Sequence, residues 1–190
     1  MRLLGTISPD RPLLVVAVQE EAAYLGEGLP VLLTGIGKIN ATAALATVLA
    51  GGDRPSEIVN LGTAGALRPG WAGTHEIGEV LQHDIDTPVL RALTGRTYGA
   101  PITVGEKGPT LATGDLFVSD PAARERLARS ADLVDMEGYA LATVAERAGV
   151  PIRLVKHVSD EAGAGADRTW RESVDTCARV LADWAHDRGL

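Results

Sequence analysis

One cysteine, Cys177, in a chain of 190 residues excludes an intramolecular disulfide framework. Aromatic residues are nearly as scarce, at 4 % with a single phenylalanine, so the 45 % hydrophobic content is carried by Ala, Val, Leu and Ile. Such a core suits strands and helices packed in layers and argues against a loop-rich sandwich. Basic residues are the minority charge: 18 Lys and Arg face 25 Asp and Glu, giving a net charge of −7 and a pI near 5.1. No Lys/Arg cluster offers a footprint for a phosphate backbone, and nucleic acid is not an expected partner. Long apolar runs are absent too. No stretch approaches the roughly 20 residues that span a bilayer, and the apolar run in "MRLLGTISPDRP" is too short for a signal peptide. A soluble, cytoplasmic protein without a membrane partner is expected.

What the chain does have is alternation. Short β-branched runs are interleaved with Ala-rich helical stretches, the signature of strands connected by helical crossovers. Strands are expected at 13–18, 30–35, 57–62, 77–82, 133–136 and 152–158, apolar enough to be buried on both faces. Helices are expected at 39–51, 121–131, 138–149 and 169–189. Gly51 and Gly149 serve as stops, and Asp120 with Pro121 as a capped start. In the last helix Trp170, Val174, Cys177, Leu181 and Trp184 recur at steps of three or four, one apolar stripe facing the sheet. The fold class is α/β: a single domain over 1–190 with a central mixed, largely parallel sheet flanked by helices. Residues 84–112, rich in Gly, Pro and Thr, show no sustained period and suit either two short strands with turns or a lid.

Several short motifs bear on chemistry. "TGIGKIN" (34–40) lacks the spacing of a phosphate loop and the hydroxyl after Lys38, so it is a tight strand-to-helix turn. "NLGTAGAL" (60–67) could bring unshielded backbone N–H groups to a ligand, or simply let two backbones pass. Glu20 and Glu21 follow the first strand, and Asp135 and Glu137 flank the end of "LVDM"; acids there could do no more than complement a helix dipole. Asp160 fits that explanation less well, because the Gly/Ala-rich "SDEAGAGAD" around it does not look helical. His83, Asp84 and Asp86 in "QHDID" lack the second His or Cys pair of a metal site, and His157 alternates with apolar residues on its strand. Neither a metal nor an organic cofactor is expected.

Taken in order, "VVAVQEEAAYL", "LLTGIGKINA", "EIVNLGTAGAL", "LATGDLFVSD", "LVDMEGYALATVAERAGVP" and "VKHVSDEAG" resemble the purine nucleoside phosphorylase and nucleosidase superfamily. Within it they look most like the hydrolases of methylthioadenosine and S-adenosylhomocysteine. The resemblance implies a small-molecule purine nucleoside as partner, a homodimer, and a role for each matched position. Asp160, after Ser159 of the SD motif, would protonate purine N7, and Glu137 would bind the ribose hydroxyls with Met136 beside the sugar. Glu21 would deprotonate the attacking water, which Thr63 in the Gly62 to Gly65 segment would contact. Phe117 would stack on the base, and the Val118 backbone would pair with the purine edge. Lys156 stands where these hydrolases usually have Arg, a point charge in place of a planar fork. Thr63 and Thr113 replace the more usual Ser, and the chain is shorter than typical members between 67 and 112 and near 120–132.

The chemistry asks for such groups on its own account. Breaking an N-glycosidic bond passes through a cationic sugar, so one acid must neutralise the departing base and anionic groups must face the sugar. Phosphorolytic relatives hold phosphate with arginines, one of them at the position of Asn60 here. Acids at 20 and 21 repel an anion and favour water as nucleophile. A phosphate-dependent phosphorylase and a non-catalytic nucleoside binder are the alternatives.

Overall fold

The apolar runs become strands, and the alanine-rich stretches become helices. In the computed structural model, which describes residues 1–190, the order along the chain is β1 (Arg2–Leu4), β2 (Leu13–Val16), β3 (Val31–Leu33), α1 (Lys38–Ala50), β4 (Ile58–Ala66), β5 (Thr74–Glu76), β6 (Glu79–Gln82), α2 (Thr87–Thr94), β7 (Ile102–Thr103), β8 (Thr110–Thr113), α3 (Pro121–Leu127), β9 (Leu133–Asp135), α4 (Gly138–Ala148), β10 (Ile152–Asp160) and α5 (Ala166–His186). All ten strands join one mixed sheet. Its parallel pairs are β2 with β3 and β4, β4 with β10, and β8 with β6 and β9. Antiparallel pairs lie chiefly at the margins, where β1 meets β3, β7 meets β6, and β5 meets β10.

Alternation of side chains sets the two layers. Leu13, Val15, Leu32 and Ile58 pack against Leu45 of α1 and Leu141 and Ala145 of α4. Their neighbours Leu14, Val16, Val59, Leu61 and Val155 face the other way, onto Leu181 and Ala185 of α5. Both faces are therefore buried, as crossover connections require.

One detail of register makes a cavity. Along one edge of β4, β2 pairs only with Ile58 to Asn60, and β9, running the opposite way, pairs only with Gly65 and Ala66. β10 occupies the other edge from Ile58 to Gly65. The C-terminal ends of β2 and β9 thus point at each other along β4, leaving Leu61 to Ala64 open between them. Any residue just beyond either strand is delivered into that gap, the sheet's switch point.

The structure corrects three expectations. Residues 62–66 continue β4 instead of forming a loop, because β10 supplies ladder partners throughout. Glu20 and Glu21 have no helix dipole to complement, since residues 19–24 form turns. The segment 84–112 contains a helix, α2, with Asp86 as N-cap, Pro in its first turn and left-handed Gly95 at its end. It is only 8 residues long and buries none of them, too short for its period to stand out among the surrounding Gly, Pro and Thr. The two short strands considered for this segment are present as β7 and β8, and β8 lies inside the sheet between β6 and β9.

Candidate active site

The gap along β4 opens into a cleft of about 710 Å³, part of it open to solvent. Its walls come from the ends of β2, β4, β9 and β10, from the 116–118 segment, and from Trp170 of α5. Glu21 reaches in from the turn after β2. Its Oε2 accepts the Ala17 and Val18 N–H groups at 3.1 and 3.4 Å, and its Oε1 accepts the Thr63 N–H at 3.0 Å and hydroxyl at 3.3 Å. Glu20 is exposed, so only the second of the pair reaches the cleft.

The two acids after β9 divide their work. Asp135 Oδ2 accepts the Gly138 N–H at 2.8 Å and thereby caps α4, while its Oδ1 accepts the Thr113 hydroxyl at 2.6 Å. Glu137 makes no capping bond to that helix. It turns into the cleft instead, where Oε1 accepts the Gly37 N–H at 2.7 Å. Gly37 has φ 93°, a left-handed conformation that suits glycine and aims its N–H across to β9. "TGIGKIN" is a turn, as expected, and it also holds Glu137.

Beneath these acids lies one cation. Lys156 is 1 % exposed, and its Nζ sits 2.8 Å from Asp135 Oδ2. It stands opposite Gly62 in the β4–β10 ladder, and a Cβ at Gly62 would come within 3.1 Å of Nζ and 3.4 Å of Glu21 Oε1. The glycine is what makes room for the ammonium. Burial works against that charge, but Asp135 and then Glu137 outweigh it and hold the Lys156 pKa above the ordinary lysine value. Burial, and then the Asp135 charge, push Glu137 up to about 8 against the pull of Lys156.

Asp160 arrives from the other edge. A bulge between Val158 and Asp160 shifts the register, so that Asp160 pairs with Gly65. Its Oδ2 accepts the Ser159 hydroxyl and its Oδ1 the Ala162 N–H, both at 2.8 Å, with Ala162 at φ 47°. A side chain at position 65 would meet Asp160 Oδ1 at 3.0 Å, which explains the second glycine of "GTAG".

At the mouth, Asp84 binds the segment that carries Phe117. It accepts the Asp115 N–H at 3.0 Å and the Lys38 ammonium at 2.5 Å, and Asp115 in turn accepts the Lys38 N–H at 2.8 Å. Burial raises the Asp84 pKa, but Lys38 and the Asp115 N–H overcome it and bring it to about 2. "QHDID" is therefore structural: His83 packs on Gly114 and Asp86 caps α2.

Of the residues singled out from sequence, Asp160, Glu21, Glu137, Thr63, Gly65, Phe117, Val118, Met136 and Ser159 line this one cleft. Lys156 lies below it, paired with Asp135. Asn60 is also beneath, its Nδ2 donating to the Val15 carbonyl at 3.0 Å. Sequence reasoning missed Trp170 as a wall residue, because its place in an apolar stripe explained it already. It also missed the separate duties of Asp135 and Glu137, which depend on a ladder partner far along the chain.

Residues 100–186 match the model of the Phosphorylase superfamily. A 5′-methylthioadenosine/S-adenosylhomocysteine nucleosidase of Bacillus velezensis is 31 % identical over 185 residues, covering 82 % of this chain and 78 % of the relative. One from Halalkalibacterium halodurans is 32 % identical over 177 residues, covering 80 % and 76 %. Among solved structures, a Helicobacter pylori nucleosidase mutant with 5′-methylthioadenosine in its active site superposes with a TM-score of 0.82 at 21 % identity, covering 94 % of this chain and 97 % of that one. A futalosine hydrolase from the same species gives 0.78 at 20 % identity, covering 92 % and 95 %. These likenesses establish the nucleoside phosphorylase-like fold. The chain belongs to the phosphorylase superfamily, in its branch of 5′-methylthioadenosine/S-adenosylhomocysteine nucleosidases.

The raised Glu137 pKa has a consequence for stability. In the unfolded chain the group ionises near its ordinary value of 4.5, and in the folded protein only near 8, so its stabilising contribution is complete below the first and lost as pH rises towards the second. His83 and His157 are depressed from 6.5 by burial, and their opposite effect ends near neutrality. Between about pH 7 and 8 the melting temperature is expected to fall with rising pH, and Glu137→Gln to flatten that slope. Parallel profiles for the two proteins in thermal melts would contradict the placement of Glu137.

Proposed function

We propose that the protein hydrolyses the N-glycosidic bond of an adenosine-type purine nucleoside, with 5′-methylthioadenosine and S-adenosylhomocysteine as the first candidates. The observation that carries this reading is the convergence of Glu21 and Asp160 from opposite edges of β4 on one cleft whose walls hold no Lys, Arg or His. In the reaction, Asp160 gives its proton to purine N7 while the bond from N9 to sugar C1′ breaks and its electron pair leaves with the base. A water molecule loses a proton to Glu21, and its oxygen bonds C1′. Glu137 and Met136 sit where ribose hydroxyls would be held, and Phe117 and Val118 where the base would be.

Electrostatics favours this sequence of events. Glu21, Asp135 and Glu137 gather around one buried ammonium, and near neutrality Glu137 largely keeps its proton, so two carboxylates face one cation. A sugar that becomes cationic gains an attraction that the neutral ground state lacks, which stabilises the transition state selectively. Phosphate would gain none: position 60 is a buried asparagine, and no cation lines the walls.

The reading extends to a cytoplasmic homodimer. Leu116 and Ile39 are 72 % and 79 % exposed, and with Ile36 and Phe117 they leave an apolar rim at the mouth that a second copy would cover. Light scattering is expected to give twice the 19.8 kDa chain mass, and a value equal to it would contradict this extension.

Free adenine and a free sugar are expected from 5′-methylthioadenosine at rates indifferent to phosphate. Asp160→Asn is expected to lower the turnover by about 100-fold or more with the fold intact by circular dichroism. Sugar phosphate as the product, or full activity in the variant, would overturn the proposal.

A further inference from the structure

Trp170 is the one aromatic of α5 that reaches the cleft, and its indole is engaged there. Nε1 donates to Thr63 Oγ1 at 2.9 Å, and Thr63 Oγ1 lies 3.3 Å from Glu21 Oε1. An indole N–H can only donate, whereas a hydroxyl has one proton and two acceptor lone pairs. Once Trp170 occupies one lone pair, the hydroxyl rotor is fixed, and its own proton is directed to Glu21. Building on the hydrolase reading above, we propose that Trp170 is a positioning residue for the general base: by donating to Thr63 it locks that hydroxyl as a donor to Glu21.

The rest of the helix supports the arrangement. Val174, Cys177 and Leu181 are buried on the sheet and fix the rotation of α5, and Trp170 lies one turn before Val174 on the same stripe. Ser173 Oγ takes no part in the relay: it donates back to the Trp170 carbonyl at 3.3 Å, with the Ser159 carbonyl farther off at 3.5 Å. With the indole in place, Glu21 is gripped by Thr63 through both its N–H and its hydroxyl. The remaining lone pair of Thr63 Oγ1 is free to accept from the attacking water, whose other proton goes to Glu21. Other ionisable groups facing Glu21 are Lys156 on β10, Glu137 beyond β9 and Cys177 on α5; none of them contacts the Thr63 hydroxyl.

The test uses the full-length protein with 5′-methylthioadenosine as probe. Trp170→Phe keeps an aromatic wall but removes the donor, and kcat is expected to fall about 3- to 10-fold. KM should stay within about twofold. Thr63→Val should cost at least as much, and the double variant no more than Thr63→Val alone. A KM raised about tenfold with kcat unchanged would make Trp170 a wall residue only and overturn the proposal. The contact is checked without turnover by the three indole N–H resonances, of which that of Trp170 alone should move and exchange faster with solvent in Thr63→Val. An unmoved resonance defeats the contact whatever the substrate, whereas absence of turnover by the wild-type protein defeats the hydrolase reading itself.

Discussion

A single buried ammonium holds the site together. Lys156 is fully enclosed and touches Asp135, and its field reaches Glu137 and Glu21. Three acids could not gather at the ends of buried strands without such a partner, since each isolated charge would cost several kcal/mol to desolvate. The arrangement depends on Gly62, which stands opposite Lys156 and lets the ammonium pass above the strand. A compact ammonium suits that space. The resemblance led to arginine as the usual residue here, but Lys156 finds its partner in Asp135 with one contact and needs no fork.

Topology does the remaining work. β2 and β9 end facing each other along β4, and β10 closes the opposite edge with a bulge at Ser159. Residues separate in sequence, at 21, 137 and 160, therefore meet without any loop having to be long. Asp135 serves structure by capping α4 and pairing Lys156, which frees Glu137, two residues later, to face the cleft. An apolar junction carries two acids because one builds the site and the other belongs to it.

Much of this was legible beforehand. Strands such as Leu13–Val16 and helices such as Lys38–Ala50 announced themselves through apolar density and period, and the cap at Asp120 through its proline. The site residues were legible through ordered motifs, whose glycines mark close approaches at 62 and 65. What stayed hidden depends on distant partners. β4 runs on through "GTAGA" only because β10 pairs with it, and α2 lies on the surface without burying a residue. Trp170 read as core because a stripe cannot reveal which of its members overlooks a cavity.

The most direct test of the central claim is the titration of the Glu137 carboxyl in the intact protein, followed by carbon NMR and assigned by its loss in Glu137→Gln. A midpoint near 8 is expected, raised by burial and by Asp135 against the pull of Lys156. A midpoint at the ordinary 4.5 would mean that Glu137 is neither buried nor crowded by Asp135 at the end of β9, and would contradict the account.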